Sequence, residues 1–135
     1  MNRLVPYIWA AGVIQWVIAA ANLFIPAKLG YGENLVKVSA IVRQIFIVHA
    51  IYIVGVLIGL GVLSVWFARE LASGAGLGRF LSLLIAVFWV PRIFVQLGYY
   101  DDRVKKENRL AHYFFTLLFI YLGVIFTLAA WRVIP

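Results

Sequence analysis

The chain has 135 residues, 65% of them hydrophobic and 13% charged; a soluble domain carries about 25% charged residues, so too few polar side chains exist to cover a water-facing globule. The net charge of +7 is spread between long apolar runs, which points to the anionic surface of a membrane and away from nucleic acid. The absence of cysteine excludes disulfides, thiolate metal sites and thiol redox chemistry within this chain.

An apolar helix of about 20 residues crosses a bilayer core. The first such run covers about 4–25 and stops at Pro26. Arg3, an apolar stretch and Ala19-Ala20-Ala21 imitate a signal peptide, but the stretch is too long for one and carries Gln15. It is read as a retained span. A short connection, 27–37, follows and contains Lys28, Gly30, Gly32, Glu33 and Lys37. The second run, about 38–68, exceeds what a bilayer needs, so its first turns, with Arg43 and Gln44, are expected in the headgroup layer. It holds Gly55 and Gly59 four apart, a flat stripe on which another backbone can approach closely. The partner expected there is a helix of the same bundle, a partner membrane protein, or a second copy in a homo-oligomer.

Ser73-Gly74-Ala75-Gly76 reads as a helix stop and turn. It is no phosphate loop, because no strand precedes it and no Gly-Lys-Ser/Thr follows. The third run covers about 77–100, with Pro91 placed to kink it just before Arg92. The connection 101–109 is the one dense charge run, and Asp101 and Asp102 are expected to pair with its cations or with tyrosines. The fourth run covers about 110–131. Four spans with short connections predict a single all-α membrane domain, 1–135, folded as an antiparallel four-transmembrane-helix bundle. His49 with Leu60-Gly61-Val62 in the second run echoes His112 with Leu122-Gly123-Val124 in the fourth, a weak internal repeat.

Lys28, Lys37, Arg43, Arg92, Arg103, Lys105, Lys106 and Arg109 lie toward one side; Arg3, Arg69, Arg79 and Arg132 lie toward the other. The excess predicts a multi-pass protein of the cell (cytoplasmic) membrane, with 27–37 and 101–109 cytoplasmic. Tyr7, Trp9, Trp66 and Trp131 form an aromatic belt at the outer side on that reading; Tyr99, Tyr100 and Tyr113 mark the inner side.

Depth separates the polar residues. Asn22, Arg43, Gln44, His49, Arg92, Gln96, Tyr99, His112 and Tyr113 all fall in the inner half. Arg92, Gln96 and Tyr99 are spaced to share one face of the third span, and Gln15 and Asn22 share a face of the first. Arg43 and His49 are about 120° apart around a helix and need not meet one ligand. Arg92 stands about 12 Å from Tyr100 along the axis, too deep to snorkel easily, so an inward or anion-paired position is expected. A structural hydrogen-bond network or lipid phosphate contacts would also account for these residues.

The candidate ligand site is therefore Arg43, His49, Arg92, Gln96, Tyr99 and His112, an inner-leaflet polar pocket flanked by aromatics such as Phe46, Phe88, Trp89 and Phe114. No catalytic motif and no metal-ligand cluster accompanies it. The expected function is a non-enzymatic accessory or ligand-binding membrane protein for a lipid- or quinone-like molecule. One alternative is an electron-transfer protein binding haem b between His49 and His112, with Arg43 and Arg92 on the propionates. Another is an oligomeric channel or transporter, disfavoured by the lack of intramembrane carboxylates.

Overall fold

A computed structural model describes residues 3–28, 36–99, 106 and 109–131, with backbone only for 25–28 and 99. In hydrocarbon every backbone N–H and C=O must be satisfied within the protein, and apolar runs of this length meet that demand as helices. The long helices are α1 (Val5–Lys28), α2 (Ala40–Trp66), α4 (Gly76–Phe94) and α5 (Arg109–Trp131), with a short α3 (Ala68–Ala72) between α2 and α4. All four long helices are apolar enough to cross a membrane. The chain is an all-α, four-helix membrane bundle.

Helix ends depart from the sequence reading in two places. Helix α1 passes through Pro26 to Lys28; the proline lacks the N–H that would donate to the carbonyl four residues back, so one rung of the last turn is lost without ending the helix there. The run expected as one span over 38–68 ends at Trp66. Phe67, at φ −118° and ψ 29°, turns the chain, and α3 then buries Ala68, Leu71 and Ala72 against the bundle end. At the start of α2 the Ser39 hydroxyl caps the helix by accepting from the Val42 N–H at 3.4 Å. The turn before α4 uses positive φ at Gly74 (72°) and Gly76 (57°), which glycine adopts without a Cβ penalty. Ser82 Oγ donates to Leu71 O at 2.8 Å and ties α4 to α3.

The bundle is two antiparallel hairpins, α1 with α2 and α4 with α5, joined chiefly through α1 and α3. Each hairpin closes on a glycine of its second helix. A Cβ at Gly61 would fall inside the Trp16 indole, whose Nε1 donates to Ile58 O at 3.1 Å. A Cβ at Gly12, on the facing side, would come within 2.9 Å of Gly61 O. In the other hairpin a Cβ at Gly123 would lie 2.8 Å from Ile93 Cδ1. The two Leu-Gly-Val steps of the sequence echo thus sit at corresponding contacts. Gly55 and Gly59 do not: nothing lies within 4 Å of a Cβ at either, so no helix of this bundle uses the GxxxG step. The spacing identified a flat stripe, but α2 turns it outward.

Polar groups at mid-span are saturated. Gln15 is 0% exposed; its Nε2 donates to Ser64 Oγ (3.0 Å) and Ala11 O (3.2 Å), and its Oε1 accepts from Trp89 Nε1 at 3.1 Å. Ser64 Oγ passes its own proton to Leu60 O at 2.8 Å. One amide therefore links α1, α2 and α4 where lipid offers no partner. Tyr121 adds a tie from α5, donating to Tyr7 O at 2.8 Å. Among the described residues no buried side-chain nitrogen or oxygen is left unpaired.

Candidate functional site

Past Pro91, α4 gives way to a π-helical segment, Val95–Tyr99. Proline cannot donate to the ladder, and a wider turn is one way a helix absorbs that loss. The wider turn changes the direction of every side chain beyond it. Gln96 is buried, at 6% exposure, and reaches across to α5. Its Nε2 lies 3.2 Å from His112 Nδ1 and 3.3 Å from His112 O. A carbonyl can only accept, so the group facing His112 is the amide NH₂, and Nδ1 accepts as well. A neutral His112 then carries its proton on Nε2. Thr116 Oγ1 donates to the same carbonyl at 2.6 Å, one turn along α5.

Arg92 is half-buried one turn deeper on α4. Its guanidinium carbon sits 5.1 Å from the centroid of the Phe119 ring, a cation–π arrangement. Phe119 stacks on Trp89 at 5.6 Å and 23°, and on Phe115 at 6.2 Å and 28°. Trp89 is the indole held by Gln15. The cation therefore rests on an aromatic stack anchored in the mid-span network.

The structure brings Gln96 and His112 together at the α4–α5 seam, and places Arg92 one turn before Gln96 on α4, against Phe119 of α5. His49 is exposed on α2, and its Nδ1 donates to Ile45 O of its own helix at 2.8 Å. Arg43 is half-buried on α2, whose main partner is α1. The two α2 residues are thus on the other hairpin, apart from the seam. The Tyr99 side chain, Tyr100, and most of 27–37 and 101–109, including Asp101 and Asp102, lie outside the described residues.

Sequence reasoning did not single out Thr116 and Phe119. Their spacing carried the signal: 112, 116 and 119 follow the four-then-three step of one helix face. Among the described residues no group of three His, Cys, Asp or Glu is placed to hold a metal. Compared with models of protein families, with curated proteins and with solved structures, the chain matches none.

Proposed function

We propose that this small multi-pass membrane protein is a non-enzymatic accessory protein that holds a lipid-like or quinone-like ligand at Arg92, Gln96 and His112. The observation that carries the reading is the Gln96–His112 hydrogen bond, with Arg92 one turn along the same helix from Gln96. With Nδ1 occupied, His112 has a donor left, Nε2–H, and a guanidinium has only donors. Such a site is matched by an oxygen acceptor, either a quinone carbonyl or a lipid phosphate. Aromatic side chains from α4 and α5 supply the apolar wall such ligands need.

Organic extraction of the purified protein, followed by mass spectrometry, tests this reading. The expected result is one amphiphile that survives detergent washing in near-stoichiometric amount. A protein that carries only bulk lipid contradicts it. A Soret band in the same sample also contradicts it, and would instead indicate a bound haem.

On the same reading, 27–37 and 101–109 face the cytoplasm of a cell membrane, on the strength of the Lys and Arg excess on that side. Single cysteines probe this cleanly in a chain that has none. Lys105→Cys is expected to resist an impermeant maleimide in whole cells, and Ser73→Cys to react. The reverse pattern contradicts the orientation.

A further inference from the structure

At the other end of the bundle, the start of α4 and the end of α5 flank an open cleft of about 320 Å³. Ligand cavities begin at about 300 Å³. It is lined by Gly76, Arg79, Phe80, Leu83, Ala130 and Trp131. Gly76 opens one span and Trp131 closes another, so the cleft lies at headgroup depth. Phe80 and Trp131 are more than half exposed, so its wall is open to the surrounding lipid.

Among the described residues the charge lining this cleft is one-sided. Arg79 is exposed and makes no side-chain hydrogen bond or ion pair among the described residues. Glu70, the one described carboxylate, belongs to α3 and forms no ion pair with it; the Glu70 backbone carbonyl is what packs on Gly78. Helix α4 also begins on Ala75 with no side-chain cap and no acid in its first turn. Its first N–H groups and the positive end of its dipole reinforce the guanidinium. A cation above an apolar wall, at the membrane surface, complements a phosphate that carries acyl chains.

We infer that the Arg79 cleft is a binding site for an anionic phospholipid of the surrounding leaflet, with the phosphate on Arg79 and the chains along Phe80, Leu83 and Trp131. This site is separate from the Arg92–Gln96–His112 seam, which lies at the opposite membrane face, and it stands or falls independently of it.

The test uses the full chain in detergent micelles doped with equal phosphatidylglycerol and phosphatidylcholine, with retained lipid counted by native mass spectrometry. Wild type is expected to retain phosphatidylglycerol over phosphatidylcholine. Arg79→Gln removes an exposed charge and is expected to lose that preference while remaining folded. Leu83→Trp fills the cleft without touching the charge and is expected to lower phosphatidylglycerol retention as well. Arg92→Met is expected to keep the Arg79-dependent preference, which separates this site from the seam. Unchanged preference in Arg79→Gln overturns the assignment. Loss in Arg79→Gln alone, with Leu83→Trp like wild type, also overturns it, because that is diffuse attraction without a cleft. Release of the lipid by excess inorganic phosphate overturns the choice of a lipid over a free anion.

Discussion

Gly61→Leu is expected to open the α1–α2 hairpin and lower the thermal stability of the detergent-solubilised protein well below wild type, while Gly59→Leu leaves the monomer unchanged. The two glycines are two residues apart on one apolar helix. Only Gly61 faces a neighbour: its missing Cβ is the space the Trp16 indole fills. A leucine there displaces the ring and breaks the Trp16–Ile58 hydrogen bond. Over-packing costs about 1–3 kcal/mol, and a lost hydrogen bond about 0.5–1.5 kcal/mol more. The backbone of α1 gives little relief, because Gly12 already meets the Gly61 carbonyl at that crossing. At Gly59 the added side chain enters open space, where lipid accepts it. Melting curves followed by size-exclusion chromatography check the pair. Equal melting temperatures for the two variants would show that the hairpin does not close on Gly61.

This contrast also shows what the sequence could reveal. Four apolar runs of bilayer length are legible because a span is a matter of length and hydropathy. The break at Phe67 is not, because Trp66-Phe67-Ala68 stays apolar and contains no proline or glycine. The burial of Ala68, Leu71 and Ala72 sets it, which is a tertiary event. The GxxxG spacing gave a stripe without a direction. Leu57, Gly61 and Ser64 are the buried face of α2, and Gly55 and Gly59 lie off it.

The candidate site divides on the same principle. Depth alone grouped His49 with Arg92, Gln96 and His112. The α1-facing line of α2, followed back from Leu57, passes through half-buried Val54, Ala50 and Arg43. His49 is one residue, about 100°, away from Ala50. Depth along a span left the direction of His49 open. Gln96 reached His112 through a π-helical turn that a regular 3.6-residue reading does not contain. Pro91 marked the neighbourhood of that irregularity but not its form.

Arg92→Met is expected to strip the protein of its co-purifying ligand and leave the bundle folded. Methionine keeps most of the length and apolar contact of the side chain, and it continues to pack on Phe119. It loses the guanidinium donors. A hydrogen bond to a charged group is worth about 1.5–3 kcal/mol, which corresponds to a loss in affinity of about tenfold or more. Gln96→Leu acts differently: it leaves His112 Nδ1 without its donor and lets the imidazole turn. It is therefore expected to weaken retention even with Arg92 intact. Quantifying extracted amphiphile against protein, beside a melting curve, checks both variants. A fall in melting temperature with ligand content unchanged would make Arg92 a structural residue only.

The most direct test of the Arg92–Gln96–His112 site is a ¹⁵N spectrum of the two histidines in the delipidated protein, recorded before and after adding decylubiquinone or a phospholipid. In the ligand-free protein at neutral pH, His112 is expected to show a bare Nδ1 and a protonated Nε2, held by Gln96. His49 is expected to carry a proton on Nδ1, donated to Ile45 O. One of the two additions should then shift the His112 Nε2 resonance and leave His49 where it was. A His112 with its proton on Nδ1 alone, or two histidines that both fail to respond to either amphiphile or respond alike, would contradict the site.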